Sequence, residues 1–259
     1  MIGVALDILD CKLMFHVKHE LVKSEEKQSV FHVKHELQNI ASSSWNLLLA
    51  GGRMPDIDWL EKTAKTVCPA GVYCADRGAS YALSAKLNPI LLVGDGDSAS
   101  MEVYEEAKKL GAKIDMHPPA KDDTDLQLLL GQIPLGNLVA SGIWGGRFDH
   151  LFSNIFSLLA YKQKNNNRVV LVDHEEVLIL LTEGEEVSLE LENMNKIHAL
   201  SLLPLSPRSC VSIDGVKWSL QKAELTQMRP YAISNVPLGK IICCTCHSGA
   251  LGLYIHWQK

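Results

Sequence analysis

Apolar residues in this chain come first as short unbroken runs and later as alternation, and the change between the two divides it. Leu47-Leu48-Leu49-Ala50 runs into Gly51-Gly52. Residues 70–75 run into Asp76, and Ile90-Leu91-Leu92-Val93 runs into Gly94-Asp95-Gly96-Asp97-Ser98. A short run over 114–117 follows, and residues 138–143 lead to Gly145-Gly146-Arg147. Apolar runs of this length, bounded by turn residues, read as buried strands. Between them the spacing turns helical over 56–65, where Ile57, Leu60 and Ala64 share a side. Helices are also predicted over 79–87, 101–110, 123–130 and 151–161. Asn88-Pro89 stops the second, and Gly111 closes the third as a C-terminal cap. Strands alternating with helices imply βαβ units and a parallel sheet.

After the polar linker 162–168 the helices cease. Strands are predicted over 169–173, 177–182 and 187–191, with Glu183-Gly184-Glu185 as a hairpin turn. More follow over 197–203, 210–213, 240–246 and 251–257. The fold expected is therefore an α/β N-terminal domain over 45–165 with a parallel, Rossmann-like sheet, then an all-β sandwich over 168–259. Residues 1–44 stand apart. Phe-His-Val-Lys-His-Glu-Leu occurs there twice, over 15–21 and 31–37, too few copies for a solenoid. His16, His19, His32 and His35 invite a metal reading, but the plainer one is a polar, mobile arm that contributes little. Phe-His-Val-Lys can also be encoded as TTT-CAC-GTG-AAA, its own reverse complement. That suggests a stretch selected as DNA rather than as protein.

Composition narrows the functional classes. The 259 residues are 47% hydrophobic and carry a net charge of −5. No basic field favours nucleic acid as a partner. Seven irregularly spaced cysteines argue for reduced thiols and a cytoplasmic setting. Cys243-Cys244-Thr245-Cys246-His247 lacks the spacing of a zinc pair and reads as strand core. No apolar run reaches the length of a membrane span. The first residues lack the basic region of a signal peptide.

The acidic residues carry the candidate chemistry. Asp76, Asp95 and Asp97 each follow a predicted strand, and Asp122, Asp123 and Asp125 precede a helix. In an open parallel sheet ligands bind beyond the carboxyl ends of the strands. Carboxylates gathered there repel one another unless a divalent cation such as Mg²⁺ neutralises them. The competing reading is that they are turn residues and helix caps, to which Thr124 and Asp125 are the most open. Gly145-Gly146 before a helix lets a phosphate approach, and Arg147 adds a forked cation. Asp149 suits a helix cap, and His150 reads as a packed residue at the helix start.

Four segments in order resemble the successive motifs of the thiamine pyrophosphokinase family. They are Ala75-Asp76-Arg77-Gly78-Ala79, Gly94-Asp95-Gly96-Asp97-Ser98, Lys121-Asp122-Asp123-Thr124-Asp125 and Gly145-Gly146-Arg147-Phe148-Asp149-His150, with Asn154 following. Gly215-Val216-Lys217-Trp218 and Ser234-Asn235 resemble its β-domain motifs. The resemblance implies transfer of pyrophosphate from ATP to thiamine, in a homodimer with thiamine at the subunit interface. It assigns Asp76, Asp95, Asp97 and Asp125 to Mg²⁺ and phosphate, and makes Asp95, Asp97, Asp122 and Asp125 the catalytic set. Asp76, Lys121, Thr124, Arg147 and Asp149 fall on the nucleotide side, and Ser234 and Asn235 on the thiamine side. Arg77 stands where the family often has glycine. Val236-Pro237-Leu238 follows Ser-Asn where some members carry an aromatic residue. The alternatives are a pyrophosphokinase for another hydroxymethyl heterocycle, such as a pterin, and a non-catalytic sensor of nucleotide or thiamine phosphate.

Overall fold

The computed structural model describes residues 4–8, 11–17, 44–96, 99–118, 120–229 and 231–257. Contacts divide the chain into two units: Ser44–Leu180, and Met1–Ser43 together with Leu181–Lys259.

The start of the chain is not the free arm that its sequence suggests. Strands β1 (Val4–Ile8) and β2 (Cys11–Val17) pair antiparallel, and β2 pairs in turn with the segment Glu185–Leu191. Cys11, Leu13 and Phe15 are buried. They alternate along β2, so all three point to one face of it. This stretch is therefore structural and not a free arm. His19, His32, His35 and the second copy of the repeat lie outside the described residues, as does the side chain of His16.

In the α/β unit, β3 (Trp45–Leu49), β4 (Val72–Ala75), β5 (Leu91–Gly94), β6 (Lys113–Met116), β7 (Asn137–Ser141) and β8 (Val169–Val172) form a parallel ladder in the order β8-β7-β3-β4-β5-β6. Strand β9 (Glu176–Thr182) pairs antiparallel with β8, so the sheet is mixed. Every residue of β3, β4, β5, β7 and β8 is buried, which is why these strands read as continuous apolar runs. Leu47, Leu48 and Leu49 are wholly inaccessible. Each such side chain stabilises the fold by about 2 kcal/mol.

Helices α1 (Ile57–Val67), α2 (Gly78–Ser84), α3 (Met101–Lys109), α4 (Asp125–Leu130) and α5 (Phe148–Asn165) link the strands. Asp56 caps α1 by accepting from the Trp59 amide, and α1 buries Leu60, Thr63, Ala64 and Val67. Gly111 follows α3 with φ +95°, as a C-terminal cap requires.

The unit boundary falls at Leu180–Leu181 and not at 168. β8 and β9 have no helix between them, so they read as all-β, yet they extend the α/β sheet. Gly184 turns with φ +80° as expected. However, β10 (Glu185–Leu191) pairs with β2 and with β14 (Ile241–Ser248) instead of forming a hairpin with β9.

The second unit is antiparallel throughout its described pairings. Its sheet runs β1-β2-β10-β14-β12-β13, with β12 (Arg208–Asp214) and β13 (Leu220–Thr226). β13 was not foreseen, because it is a largely polar edge strand in which only Leu225 is buried. Strand β11 (Ile197–Pro204) pairs antiparallel with β15 (Ala250–Trp257), and β15 packs onto β12 and β14. All seven cysteines are free. Burial pushes the Cys74 and Cys244 thiols up, which keeps them protonated and inert. Among the described residues no helix is long and apolar enough to cross a membrane.

Candidate active site

The sheet order reverses between β3 and β7, and ligands of open α/β sheets bind at such a point. Gly51-Gly52 lies just past β3 and Gly145-Gly146 just past β7. A Cβ on Gly52 would stand 2.5 Å from the Gly142 carbonyl oxygen, so only glycine lets these two loops close on each other. A cavity of about 540 Å³ opens here. Its walls bring together Asp76 from β4, Asp95 from β5, Lys121, Asp122 and Asp125 from the start of α4, and Arg147 from the start of α5.

The carboxylates are held under repulsion. Asp76 sits in left-handed backbone at φ +51°, an unusual conformation for a residue other than glycine. Burial pushes its carboxyl up to about 7, and the charges of Asp125 and Asp95 add to the effect. A hydrogen bond with Asp125 also raises it, and only Lys121 acts the other way. Lys121 Nζ meets Asp125 Oδ1 at 2.6 Å, with both side chains largely buried. One lysine thus acts on both Asp125 and Asp76. Among the described residues, no group of three or more His, Cys, Asp or Glu side chains is arranged to hold a metal ion. The donors suit a cation that takes one or two carboxylates and completes its shell with water and phosphate oxygens, as Mg²⁺ does.

The other assignments fall out unevenly. Asp97 lies outside the described residues. Asp122 lines the cavity and is exposed. Thr124 lines it too, but its hydroxyl accepts from the Gln127 amide while Gln127 returns a bond to the Thr124 amide. This is a capping box, so Thr124 is a helix cap. Asp125, the first residue of α4, turns instead to Lys121. Asp149 does not line the cavity; it is exposed and ion-paired with Arg147, Nε to Oδ1 3.1 Å. Arg147 caps α5 by position, without a side-chain cap bond. The Phe148 and Asp149 amides are therefore uncapped beside Gly145 and Gly146, which have φ +72° and +67°, while the His150 amide donates to Asp149 Oδ1 at 3.0 Å. His150, Asn154 and Arg77 also line the cavity.

Ser234 and Asn235 belong to the second unit. Ser234 is exposed at φ +59°, and its amide donates to Ser201 Oγ at 3.0 Å. Asn235 is buried and its amide group is engaged. Its Oδ1 accepts from the Trp218 and Val236 amides, and its Nδ2 donates to the Trp218 carbonyl. The Trp218 ring, 55% exposed, is held by this brace and by Lys217 over its face at 4.7 Å.

Two residues of the α/β unit were not singled out from the sequence. Arg53 follows the Gly51-Gly52 turn, and its amide donates to the Trp144 carbonyl. Its guanidinium pairs with Asp173 at 2.6 Å, with Glu175 at 2.9 Å and with Glu176. It thereby ties the glycine turn to the β8–β9 connection. The only hint in the sequence was an arginine after two glycines. Tyr104 on α3 stands behind Gly94, and its helical spacing reads simply as core.

Residues 69–171 match the family model described as thiamin pyrophosphokinase, catalytic domain. Thiamine pyrophosphokinase 1 of Oryza sativa subsp. japonica is 28% identical over 161 residues, which is 58% of this chain and 60% of that one. Thiamine pyrophosphokinase of Bacillus subtilis is 27% identical over 164 residues, 62% of this chain and 75% of that one. The chain thus spans about three fifths of the length of the rice relative. In fold, it is similar to the crystal structure of the Bacillus subtilis thiamine pyrophosphokinase, with a TM-score of 0.68 and 24% identity over 83% of this chain and 99% of that one. A thiamin pyrophosphokinase family protein from Enterococcus faecalis superposes at 0.67, covering 84% of this chain and 100% of that one. The resemblance carried by the four motifs therefore extends to the sequence of the catalytic segment and to the fold.

Proposed function

We propose that this chain moves the pyrophosphoryl group of ATP to the hydroxyl of thiamine, giving thiamine diphosphate and AMP. The observation that carries this reading is the convergence of Asp76, Asp95, Lys121, Asp122, Asp125 and Arg147 on one cavity, nearly all of it within the segment that matches the catalytic-domain family. In this reading the parallel ladder is Rossmann-like and the cavity is its ligand crevice.

The alcohol oxygen attacks the β-phosphorus, the bond from that phosphorus to its bridge oxygen breaks, and AMP leaves with the electron pair. Such transfers need alignment and charge neutralisation more than a covalent nucleophile. Asp76, Asp95 and Asp125 would hold Mg²⁺ by one or two carboxylates at a time, and Asp97 is assigned with them from its motif. When bound, the cation neutralises phosphate charge. Lys121 and Arg147 add positive charge from the protein, and the uncapped start of α5 offers amides to a phosphate. Asp122 is proposed to take the hydroxyl proton. On the thiamine side, Trp218 offers an aromatic face and Asn235 fixes its backbone, with Ser234 beside them. The proposal keeps a homodimer with thiamine at the subunit interface, and a cytoplasmic setting that suits seven free thiols.

The test is turnover of ATP with Mg²⁺ in the presence and absence of thiamine, for the wild type and for Asp95→Ala and Trp218→Ala. Asp95→Ala is expected to lower kcat by about 10³-fold. Trp218→Ala is expected to raise the thiamine KM by about 10-fold with kcat less affected. Thiamine-independent hydrolysis, or normal turnover by Asp95→Ala, would remove the reading.

A further inference from the structure

Tyr104 lies on the middle of α3 and is 5% exposed. Its hydroxyl is buried and finds no acceptor among the described residues. A buried hydroxyl whose proton has no acceptor costs about 1–3 kcal/mol, so one that persists calls for an explanation. The phenol is aimed at the acidic site from behind. A Cβ built on Gly94 would stand 2.9 Å from Tyr104 Oη and 3.4 Å from Asp76 Oδ1, so the two oxygens flank the same glycine. Burial, and then the charge of Asp76, pushes the phenol up, with Asp95 and Asp125 adding to it; the Gly96 amide faces it as a donor and pulls the other way. What the phenol lacks is an acceptor. The carboxyls in front of it are acceptors, and they accept best when ionised.

We propose that Tyr104 is a positioning residue of the acidic site, whose hydroxyl donates to the Asp76 side of the cluster when a divalent cation is bound there. A bound cation orders the carboxylate oxygens around it, and the Asp76 oxygen that shares the Gly94 position with the phenol then gains it as a donor behind the ligand. Groups of this kind orient a ligating carboxylate and change metal affinity without touching substrate. The inference rests on the metal-dependent reading of the site but not on the identity of the acceptor substrate.

The experiment compares wild type with Tyr104→Phe, which keeps the ring and its packing. Mn²⁺ binding is read by the loss of free-ion electron paramagnetic resonance signal, without nucleotide or thiamine. Thermal unfolding of both proteins is followed with and without Mn²⁺. Tyr104→Phe should bind Mn²⁺ about 10-fold more weakly. It should melt at or above the wild-type temperature without metal, because an unsatisfied hydroxyl has gone, and gain less on adding Mn²⁺. Tyr104→Leu, lacking the ring, should lose stability in both conditions and thus mark a purely structural effect. Unchanged Mn²⁺ affinity in folded Tyr104→Phe, or no Mn²⁺ binding by wild type, overturns the proposal. A wild type that binds Mn²⁺ but forms no AMP with thiamine overturns the reading of the reaction and leaves this inference standing.

Discussion

At Asp76 a half-buried carboxyl sits on left-handed backbone beside Asp95 and Asp125, and Lys121 acts on it in the opposite sense. Its folded value of about 7 stands above the ordinary aspartate value of about 3.9. Between these limits the folded chain binds more protons than the unfolded one, so stability falls as pH rises through the window. The loss is on the order of 1–2 kcal/mol after allowance for solvent screening. In the metal-free protein, Asp76→Asn should therefore flatten the dependence of Tm on pH from 4 to 8 and raise Tm at pH 8. It should also abolish turnover. A variant whose curve stays parallel to that of the wild type would show that Asp76 is not under this repulsion. The residues at this scale were legible where chemistry and position coincide. Asp76, Asp95 and Asp122 are polar residues at the ends of apolar runs. Thr124 matched two patterns at once, and the capping box with Gln127 decided for the helix cap. Tyr104 was hidden because its position on α3 is a core position and its free hydroxyl shows only in three dimensions.

Among the elements, the turn after β3 and the start of α2 are fitted to each other without slack. A Cβ on Gly78 would come within 2.0 Å of the Leu49 carbonyl oxygen. Gly78→Ala should force β3 and α2 apart and cost about 2–3 kcal/mol, read as a lower urea midpoint. It should also reduce activity, since Asp76 and Arg77 immediately precede Gly78. A neutral result would mean that this contact relaxes freely. Arg53 makes a second such joint. Asp173 is fully buried, and Arg53→Ala would leave it without its cation. That should destabilise the α/β unit by about 2–3 kcal/mol, less than a wholly buried pair because Arg53 is partly exposed. An Arg53→Ala protein with the wild-type midpoint would show that the ion pairs are idle. The interior strands of the sheet were readable because burial on both faces favours apolar residues, with Asn46, Asn137 and Ser141 the buried polar exceptions. β13 was not, because an edge strand with one buried residue has no apolar pattern to read.

For the whole molecule, organisation was partly legible. The change from runs to alternation marked two parts, but β8 and β9 carry the later pattern while extending the earlier sheet. The segment before residue 18 reads as part of a polar arm because a histidine-rich, polar stretch continues it. Yet Cys11, Leu13 and Phe15 alternate as an ordinary half-buried strand does, and they cover the edge of β10. Leu13, 1% exposed, tests this. Leu13→Ala should cost about 2–4 kcal/mol if β2 is part of the core, and nothing measurable if the segment is dispensable. At this scale the reaction itself can be measured. The most direct measurement is chromatographic quantification of products after the purified protein meets ATP and Mg²⁺, with thiamine, with a hydroxymethyl pterin, or with neither. AMP and thiamine diphosphate are expected in equal amounts with thiamine, and no AMP otherwise. ADP as the product, AMP formed with the pterin instead, or no turnover with thiamine would contradict the proposed reaction.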